Sequence, residues 1–285
     1  MRLRRPLLAA VGVSLLAGCG GSSAQGQRLP DAQSQPPFAA SPVPTPSPLS
    51  TQGQLTVAIL PTLPVQQYLD HSQQPAGFDI DLANAIGSQL GLKVSFHTVA
   101  SEDEIVPGLV PQKRSYDLGM ADQVDTPAID SGARTVPYFS TGQSIVVKSD
   151  DGKTASMGDL CGKKVGALKS SGGEDEVLRQ NESGCRGGKP IDYQAYDDGS
   201  VAVRDVIAGK LSAYIDEYPG AVYFSRVYGG LRVVPHKLAA AKEVMVFGIS
   251  DTGLRDAVAA ALERIMKSRA YIEMLHRWWL DEGGL

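Results

Sequence analysis

The sequence is poor in several of the features by which protein classes are recognised. No stretch approaches the roughly 18 consecutive apolar residues of a membrane-spanning helix, and the run Leu7–Leu16 reaches only about ten, the length of a signal-peptide core. Basic residues are not in excess: 27 Lys and Arg stand against 31 Asp and Glu, for a formal charge of −4. That argues against nucleic acid as a partner, which calls for a basic stripe. The four histidines, His71, His97, His236 and His276, fall in no metal-ligand spacing such as H-E-x-x-H. No G-x-S-x-G nucleophile turn occurs, and no short-period repeat is present. Cysteine is scarce, with only Cys19, Cys161 and Cys185.

What is present begins with the leader. Arg2, Arg4 and Arg5 precede the apolar run, which ends in Leu16-Ala17-Gly18-Cys19. Small residues before a cysteine suit a signal peptidase, and the pattern resembles the bacterial lipobox. The resemblance implies that residues 1–18 are a signal peptide and that Cys19 is acylated and becomes the mature N-terminus. Loss of the three arginines with the leader takes the formal charge from −4 to −7. Residues 19–53 are Gly, Ser, Gln, Ala and Pro with few large apolar side chains, so they cannot offset their own ordering entropy. The Pro-rich end, "SPVPTPSPLS", favours extended spacer conformations. The expectation is a lipidated, disordered tether holding a folded body on the outer face of a membrane.

The body, about residues 54–285, alternates short apolar runs with amphipathic ones. "QLTVAIL", "LKVSFHTV", "YDLGMA", "KKVGAL" and "LSAYID" read as strands. "DIDLANAIGSQLG" and "TGLRDAVAAALERIMKS" have helical spacing, the first ending at Gly91. Repeated β–α order predicts an α/β fold with parallel sheets covered by helices. Ligands in such sheets bind beyond the carboxyl ends of the strands. The segment from Cys161 to Cys185 reads as strand, turn, helix and loop. The helix returns antiparallel to the strand, which brings Cys185 back near Cys161, so an exported chain is expected to form a disulfide there.

"GFDIDLANAIGSQL" (77–90) resembles the signature of the bacterial extracellular solute-binding proteins of family 3. "YDLGMADQVDTP", "PYF" (137–139), "DLCGKKVGAL", "AGKLSAYIDEYP", "FGISD" and the closing "LHRWWL" continue the resemblance in order. It implies a two-lobed periplasmic-binding-protein type II fold. Each lobe is a mostly parallel sheet flanked by helices, and two hinge strands near Gln143–Lys148 and Val244–Ile249 join them. Lobe one is expected at 54–145 plus 246–285 and lobe two at 146–245. The implied role is a monomeric solute-binding lipoprotein of an ABC importer, which captures a small polar solute and delivers it to a membrane permease. Two alternatives are a ligand sensor or partner-binding lipoprotein with a degenerate cleft, and an enzyme on the same fold. No catalytic residue, cofactor or metal is expected.

The chain departs from the family where the ligand carboxylate is usually held. The family's T-x-x-R reads Thr126-Pro127-Ala128-Ile129, so isoleucine stands where a guanidinium would fork onto a carboxylate. Val124 replaces a usual hydroxyl, and Gln66 stands at a usual aromatic position beside Tyr68. Arg134, five residues beyond Ile129, reads mainly as a surface residue, the alternative being a substitute for the missing guanidinium. In lobe two, Ser170, Ser171 and Gly172 occupy a strand-to-helix turn whose N–H groups suit an anion or ligand oxygen. The resemblance puts Asp216 where the family places the carboxylate that receives the ligand's ammonium, with Glu217 the lesser candidate. Asp122, Gln123 and Thr126 complete the expected contacts, and Asp125 is read mainly as a helix cap. The expected solute is therefore amine-bearing rather than a standard α-amino acid.

Overall fold

The computed structural model describes residues 26–31, 49–235 and 237–285. The expected signal peptide, the expected lipidation site Cys19, most of the expected tether and His236 lie outside the described residues. Lobe one opens with β1 (Gln54–Ile59), β2 (Thr62–Leu63), β3 (Gln67–Leu69), β4 (Pro75–Ala76) and α1 (Phe78–Leu90). It continues through β5 (Lys93–Thr98), α2 (Ile105–Gly108), β6 (Leu118–Met120) and α3 (Pro127–Gly132). The long strand β7 (Ala133–Lys148) leads into lobe two, with β8 (Lys164–Leu168), α4 (Gly172–Arg179), β9 (Asp192–Tyr196) and α5 (Gly199–Ile207). Then come β10 (Ala213–Glu217), α6 (Tyr218–Val227), β11 (Leu231–Val233) and β12 (Leu238–Gly248), with α7 (Thr252–Lys267) and α8 (Arg269–Arg277) closing lobe one.

The main sheet runs β5-β1-β6-β12-β7-β10-β8-β9, with β11 also on β7. Pairing is parallel for β5/β1/β6 and for β10/β8/β9, and antiparallel wherever β7 or β12 takes part, except that those two never meet β5, β1, β8 or β9. Each lobe thus owns a parallel sheet, and β7 and β12 stitch the two together. Residues Ala133–Phe139 of β7 pair with Glu243–Gly248 of β12, while Gln143–Lys148 pair with β10 and β11. The changeover is marked by register shifts on both sides of Ala241–Glu243. Gly142 sits there at φ +149°, where a Cβ would come within 2.6 Å of the Leu238 carbonyl oxygen, so only glycine fits.

Apolar periodicity explains the layers. α1 buries Ile80, Leu82, Ala83, Ile86 and Leu90 against β5, α7 and α8 and ends on Gly91 in the left-handed conformation, as helix C-termini favour. Phe78, Tyr138, Phe139, Tyr271 and Trp278 fill the centre of lobe one, each contributing about 1.5–3 kcal/mol or more through burial. Lobe two has two smaller cores, one on each side of its sheet. The Cys161–Cys185 disulfide forms, with Cα atoms 5.6 Å apart, because α4 and the turn Gln180–Gly184 carry the chain back to the start of β8.

Two features were not anticipated. β2, β3 and β4 make a separate three-stranded sheet in what reads as a loop, since two- and three-residue strands carry no periodicity. And residues 26–31, part of the stretch expected to stand free, lie against the body. Leu29 packs on the lobe-one core and the Gln27 N–H donates to the Arg226 carbonyl, enough local contact to order a short segment.

Candidate functional site

The lobe-one wall is built by two loops under backbone strain. After β1 the chain passes through Val65, fully buried with φ 66°, a costly conformation for a β-branched residue. This aims the next two side chains inward. Gln66 Nε2 donates to Glu243 Oε2 at 2.6 Å. Gln67 accepts from the Leu60 N–H and donates to the Met120 carbonyl, both at 2.7 Å, and to Asp79, so it is fully spent on structure. After β6, Asp122 takes φ 58°, which aspartate tolerates. The loop is then pinned to β12 by Val244 N–H on the Gln123 carbonyl at 2.8 Å and Asp125 N–H on the Lys242 carbonyl at 2.9 Å. That zipper brings Asp122 and Glu243 together.

Lobe two contributes through the end of β10. Glu217 pairs with Gln143 and Asp216 with Ser144 across to β7, and successive strand residues face opposite sides. Glu217 therefore turns toward the hinge, where Oε1 accepts from Thr141 Oγ1 at 2.9 Å. Asp216 turns toward α6. Its Oδ1 accepts from the Glu217 N–H at 2.9 Å, and its Oδ2 lies 2.6 Å from where a Cβ on Gly220 would stand. Gly172 lies close to the Gln143 side chain, so the Ser170–Gly172 turn neighbours the same hinge position.

Carboxylate oxygens of Asp122, Glu217 and Glu243 all lie within 4.8 Å of one another. Among the described residues none of the three makes an ion pair. Asp122 Oδ1 and Glu243 Oε1 are buried without a hydrogen-bond partner, as is Asp79 Oδ1 just behind. Tyr138 Oη stands 3.0 Å from Asp79 Oδ2 and 3.1 Å from Glu243 Oε2. A phenol carries one proton, so it donates to one carboxylate and the other must itself be protonated to bond it. Burial, reinforced by mutual repulsion, pushes Asp122 and Glu243 well above the usual carboxylate range, and burial raises Glu217 as well. Burial lifts Asp79 to about 7, against the opposing bonds from Gln67 and Tyr138. Glu102 is also raised by burial and by Glu217. Empty, this is an acid cluster that holds protons. A cation placed among the three oxygens would let them ionise, and an ammonium, a guanidinium or a metal ion each fits that donor chemistry.

The lobe-two turn is less free than its N–H groups suggest. Ser171 caps α4, accepting from the Glu174 N–H at 3.3 Å while donating to the Leu168 carbonyl at 2.7 Å. The Ser170 N–H, held at φ 56°, already donates to Glu174 Oε2 at 2.6 Å. The chain's own carboxylate thus sits where a ligand anion was expected. In lobe one, Thr126 caps α3, so that cap is not Asp125. Ile129 packs with the apolar cluster around Ala58 and Ile105. Gln123 donates to Glu102 at 3.3 Å. Tyr68 points elsewhere, donating to the Pro30 carbonyl and meeting Trp278 edge-on. Arg134 donates to the Ile249 carbonyl at the surface.

The structure therefore brings together Gln66, Asp122, Glu217, the lesser sequence candidate, and, through Gln143, Gly172, and adds Glu243, Tyr138 and Glu102. Two of these left a signal. The segment "AGKLSAYIDEYP" resembles a G-x-x-D-A-x-x-x-D stretch of the family, and counting that stretch from Gly209 ends on Glu217, one residue past Asp216. Glu243 is a lone acid opening the apolar run "EVMVF". His71 and His276 pair with Asp31 and Asp281 at the surface, and His97 leans on Tyr116.

The model of the bacterial extracellular solute-binding proteins, family 3, matches residues 55–281. The arginine-binding protein ArgT of Corynebacterium glutamicum is 24% identical over 295 residues, covering 98% of this chain and 93% of the relative. A solved ancestral cationic amino acid solute-binding protein, AncCDT-1, superimposes with a TM-score of 0.70 at 25% identity, covering 79% of this chain and 95% of that one. A second structure of AncCDT-1, described as a precursor of cyclohexadienyl dehydratase, gives 0.60 at 25% identity, with the same 79% and 95% coverage. These neighbours are binding proteins, one of them with an enzyme among its descendants.

Proposed function

The chain belongs to the bacterial extracellular solute-binding proteins of family 3, and from that premise we propose that it captures a small cationic, amine- or guanidinium-bearing solute between its lobes. It delivers that solute to the membrane permease of an ABC importer and is held at the outer face of the membrane by lipid on Cys19. The observation that carries the choice of solute is the triad of Asp122, Glu217 and Glu243, close together, with no ion pair among the described residues and a partnerless buried oxygen on Asp122 and on Glu243. They come from lobe one, lobe two and the hinge. A cation among them touches both lobes at once, which is the differential contact that favours closure.

Two further observations support a solute without a carboxylate. Isoleucine occupies the place of the family's arginine, and Glu174 satisfies the Ser170 N–H. The relatives named for arginine bind a molecule with both charges; this cleft keeps the groups suited to the positive one.

The test is thermal unfolding with a panel of α-amino acids, diamines, guanidino compounds, quaternary amines, sugars and divalent metal salts. A ligand at a hundred times its Kd adds about 2.7 kcal/mol, or roughly 2–4 °C for a body of this size. A shift with carboxylate-free cations supports the proposal. A shift only with zwitterionic amino acids overturns the carboxylate argument, and one only with metal salts reassigns the triad. No shift with any of them favours a sensor with a degenerate cleft.

A further inference from the structure

Gly26–Asp31 crosses the seam between the lobes. At its start the Gln27 N–H donates to the Arg226 carbonyl at 2.6 Å, on α6. Gly26 lies so close to that helix that a Cβ on it would stand 1.7 Å from the Val227 carbonyl oxygen. At its end the segment is held by lobe one. Tyr68 Oη donates to the Pro30 carbonyl, Arg277 donates to the Asp31 carbonyl at 2.8 Å, and His71 Nδ1 lies 3.0 Å from Asp31 Oδ1. Leu29, between them, packs on the lobe-one core. The segment borders a cavity of about 710 Å³ whose other walls are residues 68–71 of lobe one and Tyr223 and Val227 of α6.

We infer that Gly26–Asp31 is a clasp by which part of the chain's own tether segment ties α6 of lobe two to lobe one and restrains their separation. Contacts to both lobes from one short segment exist only while the lobes lie together, so opening must break one set of them. Any interaction present in one arrangement and absent in the other shifts the balance by that difference. The clasp acts on the empty protein and does not depend on which solute fills the cleft.

Gly26→Ala is the direct test, because it forces a methyl group into the Val227 carbonyl and touches nothing in the cleft. Gly253→Ala on α7, where a Cβ meets nothing within 4 Å, is the control. The protein is the chain from Gly20 to Leu285, which retains every described residue. Hydrogen exchange at the Gln27 amide reports seating. Spin labels on exposed Asn84 of lobe one and exposed Ser183 of lobe two, introduced as Asn84→Cys and Ser183→Cys, report lobe separation. The Gln27 amide is expected to exchange about tenfold faster in Gly26→Ala, the effect of one net hydrogen bond on local opening. The label distances are expected to broaden toward longer values, with Gly253→Ala matching the parent. Free exchange of Gln27 in the parent overturns the inference. So does release of Gln27 in Gly26→Ala with unchanged label distances. Neither readout needs a ligand, so a failed solute screen leaves this test intact.

Discussion

Lobe one and the hinge strand β12 hold two sets of acids, and they are treated in opposite ways. At its base, Asp117 is fully buried and every lone pair has work. It accepts from the Ser50 N–H at 2.7 Å, Ser50 Oγ at 3.0 Å, the Thr56 N–H at 2.8 Å and Arg114 at 3.2 Å. Asp81 likewise takes Arg277 at 2.9 Å and Trp278 Nε1 at 2.7 Å, fastening α1 to α8. At the cleft, Asp79, Asp122 and Glu243 keep buried oxygens with no partner and crowd one another. A buried charge is tolerated when paired and costly when not. The paired acids serve the fold, and the partnerless oxygens are those the proposed cationic solute would meet.

The comparison breaks most visibly at Asp117. Asp117→Ala strands Arg114 and the Thr56 N–H and is expected to cost about 3–5 kcal/mol, read by urea unfolding; a loss below about 1 kcal/mol would erase the distinction. Next comes Glu217→Gln, which removes a charge from the cleft while leaving its shape. It should weaken a bound cation about ten- to a hundredfold by calorimetry, as loss of a charge-assisted bond does. Asp216→Asn, on the other face of β10, should change affinity severalfold less. If the two effects are reversed, the cleft contact belongs to Asp216.

The effect on the empty protein has the opposite sign. Glu243→Gln relieves a buried acid and should raise ligand-free stability by about 1 kcal/mol at pH 8, with no gain at pH 4, where the acid is already neutral. The pH profile of the parent sharpens the same point. Free carboxylates titrate near 4, whereas burial lifts Asp79 to about 7. Between those values the folded protein holds a proton that the unfolded chain has lost. The stability this contributes is whole below about pH 4 and is lost as pH rises through about 7. The ligand-free Tm should therefore fall from pH 5 to pH 8, and a cationic solute should flatten the fall, because binding is then coupled to proton release. A ligand-free Tm that rises across that range would mean the cleft acids are already compensated.

Much of the fold is legible in the residues. The β–α alternation, the glycine ending α1 at Gly91 and the return of α4 toward Cys161 are local signals, and the structure keeps all three. The cleft is legible only in part. Asp216 and Glu217 differ by one position on a strand, and one position reverses the face. Spacing alone cannot decide between them without the register against Ser144 and Gln143. Glu243 and Tyr138 carry no local mark of their role. They matter because a bulged hinge strand lies beside the Asp122 loop, a contact between residues more than a hundred positions apart. The Glu174 carboxylate on the Ser170 N–H is the reverse case. Ser171-x-x-Glu174 is a capping-box pattern in the sequence, but what the carboxylate does to an anion site shows only in three dimensions.

The seated segment at Gly26 also fixes a distance. With Cys19 as the proposed anchor, the unclasped leash spans about seven residues, or roughly 25 Å at full extension. Were the leash free to Leu49, it would span about thirty residues and roughly 100 Å. The difference is that between a buoy on a long line and a boat moored at the quay. Under the proposed anchor and clasp the body would be confined to a thin layer over the bilayer, with the seam near α6 turned toward the anchor and the search for a permease reduced to motion in a plane.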